Sequence, residues 1–303
     1  MSEKQYHKTS VIIVGAGPAG LACAIAAKHA SAALEVCVID KAAELGNHNL
    51  SGAVLEPAAA ERVMSLAKEN WREDEAAKAI FARKVERDDV LFLPGAAFAL
   101  NISPVINLAA LLGLGAGEMR HRGDYIVSIA KLTKWLGQQA RELGVEVLSG
   151  FAAADILLDA ESGRATGVKL VDRGLTKEGE EQPNYAPGEV IEADIIVLAE
   201  GCDGLVTERF VEKASLKRRQ QQMFSVGIKE VIKVTEEQYQ KFGDKRVVHA
   251  LGFPLWTPLV GPGMFGGGLV YAYGDNCLAV GMIVGLDWAE CNFNPQDALT
   301  HLR

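Results

Sequence analysis

The sequence predicts an α/β protein whose parallel-sheet core is interrupted by an inserted, mainly antiparallel second domain. Three observations carry that prediction. Val11-Ile12-Ile13-Val14 is apolar and mostly β-branched, and it runs into Gly15-Ala16-Gly17-Pro18-Ala19-Gly20, the G-x-G-x-x-G spacing of a strand–turn–helix phosphate cradle. Ile195-Ile196-Val197-Leu198-Ala199 repeats the buried-strand pattern and ends in another Gly-containing turn, Glu200-Gly201-Cys202-Asp203-Gly204. From Met223 onward the βα rhythm gives way to short alternating stretches punctuated by Gly and Pro, as antiparallel strands require.

Each element follows in order. Gly15 permits the tight turn, Gly17 lets a pyrophosphate approach the backbone, and Gly20 lets the Ala-rich helix over 21–30 pack on the strand. Phosphates would sit on the open N–H groups at the positive end of that helix. A second apolar strand, Val36-Cys37-Val38-Ile39, ends in Asp40, placed to accept hydrogen bonds from a ribose. Residues 56–68 and the charged stretch 74–89 read as helical. A helix over 127–143 carries Leu132, Trp135, Leu136, Gln139 and Leu143 at helical spacing and stops at Gly144. The strand Val145 to Leu148 follows, then a hairpin over 154–171 and a charged surface loop over 172–187. These elements predict a discontinuous dinucleotide-binding domain, 1–75 and 123–222, and a second domain, 76–122 and 223–303. Only one full glycine fingerprint is present, which favours a resident FAD over a co-substrate NAD.

Composition bounds the function. The chain has 303 residues, 49% of them apolar and 23% charged, so it can bury a substantial core. A net charge of −8 argues against nonspecific nucleic-acid binding, which needs a positive surface. The five cysteines are scattered with no C-x-x-C pair, and neither a disulfide framework nor a metal site is expected. The N-terminal residues are polar up to Ser10 and hold no apolar leader segment, so no signal peptide is expected. No general base is assigned, and His48 reads as a positioning residue.

Gly46-Asn47-His48-Asn49-Leu50-Ser51-Gly52-Ala53-Val54-Leu55-Glu56-Pro57 resembles the stretch G-x-H-x-L-S-G-A-x-L-x-P of the electron transfer flavoprotein–ubiquinone oxidoreductases. The stretches 123–127, 144–147, 199–204, 252–255, 266–273 and 284–287 match the same family in order. The resemblance implies FAD bound in the glutathione-reductase-like manner, reduction by electron transfer flavoprotein, and ubiquinone as acceptor at a membrane surface. It places Gly15, Gly17 and Gly20 at the pyrophosphate and Asp40 at the ribose. Ser51 and Gly52 would lie near the isoalloxazine, Gly201 and Asp203 at the second cofactor turn, and Gly266-Gly267 against the quinone ring. The family also carries a [4Fe–4S] domain bound by clustered cysteines. None of the five cysteines matches those ligands, so the chain reads as an N-terminal portion.

Residues 90–117 hold no charged residue or histidine, yet Pro94, Gly95 and Pro104 interrupt them. This predicts a monotopic patch dipping into the lipid surface rather than a spanning helix. The expected location is the cytoplasmic face of a bacterial inner membrane or the equivalent matrix side. Two rivals remain: a geranylgeranyl-reductase-like flavin enzyme acting on isoprenoid lipid, and a fragment acting only as a binding module.

Overall fold

The computed structural model describes residues 6–50, 53–114, 119–257, 261–262, 264–288 and 291–303. The first half contains β1 (Tyr6–Val14), α1 (Pro18–Ala30), β2 (Val36–Asp40), β3 (Ala53–Leu55), α2 (Pro57–Ala67), α3 (Glu75–Ile80) and β4 (Arg83–Lys84). Then come β5 (Arg87–Gly95), β6 (Phe98–Asn101), α4 (Ser103–Leu111), β7 (Tyr125–Val127) and α5 (Ile129–Glu142). The strands β8 (Glu146–Ser149), β9 (Ala153–Leu158), β10 (Ala165–Leu170), β11 (Arg173–Leu175), β12 (Glu181–Ala186) and β13 (Val190–Leu198) precede α6 (Leu205–Lys213). The last part runs through β14 (Ser225–Lys233), α7 (Glu236–Phe242), β15 (Arg246–Gly252), β16 (Trp256–Thr257) and β17 (Gly261–Pro262). It ends in β18 (Gly266–Gly274), β19 (Cys277–Gly285) and α8 (Pro295–Leu302).

These elements form two compact units. The first comprises Met1–Ser51, Ala58–Ile80 and Val127–Arg218, the second Gly52–Pro57, Phe81–Ile126 and Arg219–Arg303. The first unit is built on a six-stranded sheet, β8-β2-β1-β13-β10-β9. Strands β8, β2, β1 and β13 run parallel, and the β9–β10 hairpin closes one edge antiparallel. Alternation splits the β-branched strands between two faces. Ile12, Cys37 and Ile39 join the cluster with Val168, Leu170 and Ile191. Burial pushes the Cys37 thiol up to about 12, as expected of an inert core cysteine. Helices α1 and α5 bury Leu21, Ile25, Leu132, Trp135 and Leu136. The 172–187 segment, expected as a loop, pairs instead as a β11–β12 ribbon.

Ahead of α3, Asp74 ties three elements together. Its carboxylate accepts from Lys68 Nζ at 2.6 Å, Ala77 N–H at 2.9 Å and Trp135 Nε1 at 3.2 Å. The Lys68 bond leads in holding this carboxyl down to about 2. A depressed carboxylate contributes stability above its unfolded value, about 4, and that contribution is lost as pH falls through the folded value. Wild type should therefore lose melting temperature between about pH 4 and pH 2, and Asp74→Asn should be less stable at neutral pH with a flatter acid limb. An unchanged acid limb in a thermal scan would remove Asp74 from this role.

The second unit holds the sheet β14-β19-β18-β15-β5-β6, antiparallel except where β15 and β5 run parallel. A smaller sheet follows the order β3-β7-β4. The helical reading of 74–89 is corrected here, because α3 ends at Ile80 and β5 begins at Arg87. Asp89, 6% exposed, is held in the strand by Arg246 at 2.6 Å and Arg87 at 2.8 Å. Those ion pairs let a charge-rich segment enter a sheet. The uncharged stretch beyond it becomes β5, the β6 hairpin and α4, broken where Pro94, Gly95 and Pro104 stand. Helix α4 buries none of its residues. Among the described residues no helix is long and apolar enough to cross a membrane.

Candidate cofactor site

The carboxyl ends of β1, β2 and β13 meet at one edge of the first unit's sheet, where the strand order places its switch point. Val14 lies in register with Leu198, and Ala199 N–H donates to Val14 C=O at 2.8 Å. The two glycine turns therefore stack on each other. Gly15 has φ +106°, and a Cβ there would lie 2.3 Å from Ala199 O. A Cβ on Gly20 would lie 1.9 Å from Gly15 O. Both glycines are demanded by the protein's own packing. Gly17 differs: it caps α1 with φ −72°, and a Cβ there would meet nothing within 4 Å. Its space is open in front of the first turn of α1, whose initial N–H groups have no intrahelical acceptor.

Asp40 reaches this turn from the end of β2. Its Oδ2 accepts from Ala16 N–H at 2.7 Å and its Oδ1 from Ala42 N–H at 2.8 Å. The carboxylate thus shapes the turn, and each oxygen keeps a second lone pair for a hydroxyl. Gly201, with φ +86° and open space beside it, shapes the second turn, where Asp203 is exposed. Glu200 is a residue that the strand–turn pattern does not single out. Its carboxylate accepts from Val206 N–H at 3.2 Å and from Thr207 N–H and Oγ1 at 2.7 Å each, capping α6 from outside the helix. Ser51 and Gly52 lie outside the described residues. A cavity of about 590 Å3 occurs elsewhere in this unit, lined by Lys8, Lys28, Glu35 and Phe151 among others. It sits by the amino ends of β1 and β2, the end away from the turns. Ligands of such sheets sit at the carboxyl ends, so the glycine cradle is the better site.

A match over residues 10–217 to the FAD binding domain family model decides the assignment. The chain belongs to the FAD-binding domain family. FAD fits the cradle on structural grounds as well, since the open face of Gly17 and the α1 amides suit a pyrophosphate. Residues 224–303 of this FAD-binding protein match a second family model, ETF-QO, ubiquinone-binding. Electron transfer flavoprotein-ubiquinone oxidoreductases are similar to it over 97% of its length. That of Arabidopsis thaliana is 36% identical and that of Pseudomonas aeruginosa 34%, with 43% and 50% of those proteins covered. The FAD-binding chain thus spans about half the length of the curated relatives it matches. A solved geranylgeranyl bacteriochlorophyll reductase-like protein from Thermoplasma acidophilum aligns with TM-score 0.61 at 17% identity, over 98% of this chain and 62% of that one. Aklavinone-11 hydroxylase, solved with FAD and aklavinone, aligns with TM-score 0.59 at 17% identity, over 98% and 50%. At such identity both speak to the shared fold alone.

In the second unit, Gly266, Gly267 and Gly268 open β18. A Cβ on Gly266 would lie 2.3 Å from Ile283 O, and one on Gly268 would lie 2.4 Å from Leu302 Cδ2. At Gly267 the nearest atoms are Ala250 O at 2.9 Å and the tip of Leu251 at 3.3 Å. Backbone of the neighbouring strands closes on Gly266 and Gly267, and the tip of Leu302 on α8 closes on Gly268. Farther along the same sheet, His121 and His249 stack with ring centroids 5.0 Å apart. Sequence reading does not pair these histidines, because 128 residues separate them. Among the described residues no three His, Cys, Asp or Glu side chains come together as a metal site.

Proposed function

We propose that this chain is the flavin- and quinone-binding portion of an oxidoreductase that passes electrons from reduced electron transfer flavoprotein to ubiquinone at a membrane surface. The observation that carries this reading is the order of two matched regions in one chain. An FAD-binding region over 10–217 is followed by a region over 224–303 like the ETF-QO ubiquinone-binding model. Bound FAD would supply the electron-carrying chemistry. The chain's own residues position it. Gly17 and the α1 amides receive the pyrophosphate, Asp40 offers lone pairs to the ribose, and Gly201 and Asp203 flank the second turn. Ser51 and Gly52 belong beside the isoalloxazine on the resemblance alone. Gly266-Gly267 is the quinone-contacting element on the resemblance, and a flat ring at Gly267 would have to stand off the Ala250 carbonyl as well as displace the Leu251 tip.

The apolar stretch from β5 to α4 supports attachment to a lipid surface. Phe98, Val105, Leu108, Leu111, Leu112 and Leu114 are all exposed, more than scattered surface leucines account for. The patch would lie on the matrix or cytoplasmic face and offer a long-tailed quinone an apolar route. The isoprenoid-reductase reading gains nothing from the likeness in fold, which carries no substrate information.

Gly17→Val tests the cofactor half of this reading. The added Cβ meets nothing within 4 Å, so the flavin-free protein should stay folded with only the small loss of melting temperature that a poorer N-cap brings. It would also fill the approach to the α1 amides, so stoichiometric FAD binding, read from the visible spectrum and released flavin, should be lost. Flavin retained at wild-type stoichiometry would move the pyrophosphate away from this turn.

A further inference from the structure

On the second unit's sheet, one face collects polar atoms that the cofactor site does not use. His249 Nε2, Asp88 Oδ1 and Tyr271 Oη are buried and have no hydrogen-bond partner among the described residues. Buried groups of this kind call for an explanation, commonly a water or a ligand. Register puts them together: Leu269 lies opposite His249 and Tyr271 opposite Val247 across β15 and β18, while Asp88 pairs with Val247 across β15 and β5. Period-two alternation then places Gly267, Leu269 and Tyr271 on the face that His249 shares. Gly267 is the diagonal neighbour of His249, and such neighbours sit about 7–8 Å apart, within reach of aromatic side chains.

His121 backs this face. Its ring stacks on His249, its Nδ1 lies 3.1 Å from Asp124 Oδ2, and its N–H donates to Asp88 Oδ2 at 2.5 Å. At a 5.0 Å ring spacing a positive charge on His121 opposes charging His249 in a partly buried site. Burial first, then His121, holds His249 below the ordinary histidine range, with Asp88 opposing. His121 is the wetter partner, its side chain 22% exposed. Other titratable groups on neighbouring elements include Tyr273 on β18, Lys229 on β14 and Arg83 and Lys84 on β4, while Arg87, Asp89 and Arg246 alternate to the opposite face. Lys229 stands in the same cross-sheet row as His249, through Gly281 and Leu269, with its Nζ over the Tyr273 ring and no hydrogen-bond partner among the described residues, while Arg83 packs against Gly274 toward the other end of β18.

We propose that His249, backed by His121 and Asp88, donates a proton to the oxygen of a quinone lying against Gly267. The proposal rests on the quinone reading above. Reduction of a quinone to a quinol takes two electrons, which come from the reduced flavoprotein donor, and two protons. At the oxygen an O–H bond forms as the Nε2–H bond of the His249 imidazolium breaks, leaving a neutral ring. A proton from solvent then restores the His249 imidazolium, which gives the second proton in the same way.

Two measurements on the full chain test this. Histidine NMR on the flavin-free protein should show the two rings titrating as a coupled pair, with the His249 midpoint rising in His121→Asn. Turnover of the FAD-loaded chain, driven by reduced electron transfer flavoprotein, should be compared with a ubiquinone analogue and with ferricyanide, which takes no proton. His249→Gln should lower the ratio of quinone to ferricyanide turnover on the order of 100-fold, and His121→Asn should shift the quinone pH profile. Independent titration of the two rings overturns the proposal, as does an unchanged turnover ratio in His249→Gln. Wild type that reduces ferricyanide but not the quinone removes the quinone reading, and the proton donor with it.

Discussion

Gly20→Ala should destabilise the protein and empty its flavin site, against the usual direction of a Gly→Ala change within a helix. Alanine ordinarily gains about 1 kcal/mol over glycine in a helix. Here its methyl would lie 1.9 Å from the carbonyl oxygen of Gly15 and 3.3 Å from Ala199 Cβ. The nearest atom is backbone, in a turn that hydrogen bonds from Gly15 N–H to Ile39 C=O and from Ala199 N–H to Val14 C=O already fix. Overpacking of this kind costs about 3 kcal/mol, so the collision outweighs the propensity gain and a net loss of about 2 kcal/mol remains. Relief requires α1 to move off the turn, which takes its amides away from the phosphate position. Chemical denaturation should report the lost stability, and flavin release should report weakened binding. Wild-type values for both would show that α1 tolerates a methyl at this contact.

Leu111→Lys with Leu112→Lys should release the protein from lipid vesicles while leaving it folded. Leu111 is 79% exposed and Leu112 64%, so neither substitution opens a cavity and the melting temperature should stay at its wild-type value. Inserting an exposed leucine or valine into lipid gains about 1.5 kcal/mol. The four side chains Val105, Leu108, Leu111 and Leu112 would together give about 6 kcal/mol, comparable to one myristoyl chain. Losing two of them removes about 3 kcal/mol, roughly a 100-fold drop in partition, before any cost of bringing lysines to the apolar boundary. Vesicle sedimentation at fixed lipid concentration would read this directly. Unchanged partition would move the membrane contact away from α4.

The parts of the fold legible in the sequence are those whose signal is local. Val11 to Val14, the glycine fingerprint and Val36 to Asp40 carry strand, turn and strand within one short window. The helix around Leu132, Trp135 and Leu136 shows its buried stripe through spacing alone. Arg87 to Asp89 was illegible because its strand character depends on Arg246, an ion partner supplied by β15 from far along the chain. The β11–β12 ribbon has too few buried positions to mark its strands. In the site, the fingerprint identifies all three glycines and their separate tasks, but not the protein atoms that close on them. That Gly15 and Gly20 answer to protein atoms and Gly17 to open space depends on Ala199, which lies on another strand. Glu200 escaped notice because its carboxylate caps a helix that starts several residues later.

The stacking of the turn after β1 on the turn after β13 has a consequence for how the protein matures. Gly15 and Ala199 lie at opposite ends of the first unit's sequence, and β13 adds to β1 only after the intervening chain has been made. Contacts of such long sequence separation form late, because loop closure must precede them. A nascent chain that stops short of Leu198 lacks one wall of the nucleotide cradle, however well its first βαβ unit has formed. Flavin capture is therefore a late event in biogenesis. Since a ligand that binds only the closed state stabilises that state, free FAD in the cell acts as a ratchet on the final strand insertion.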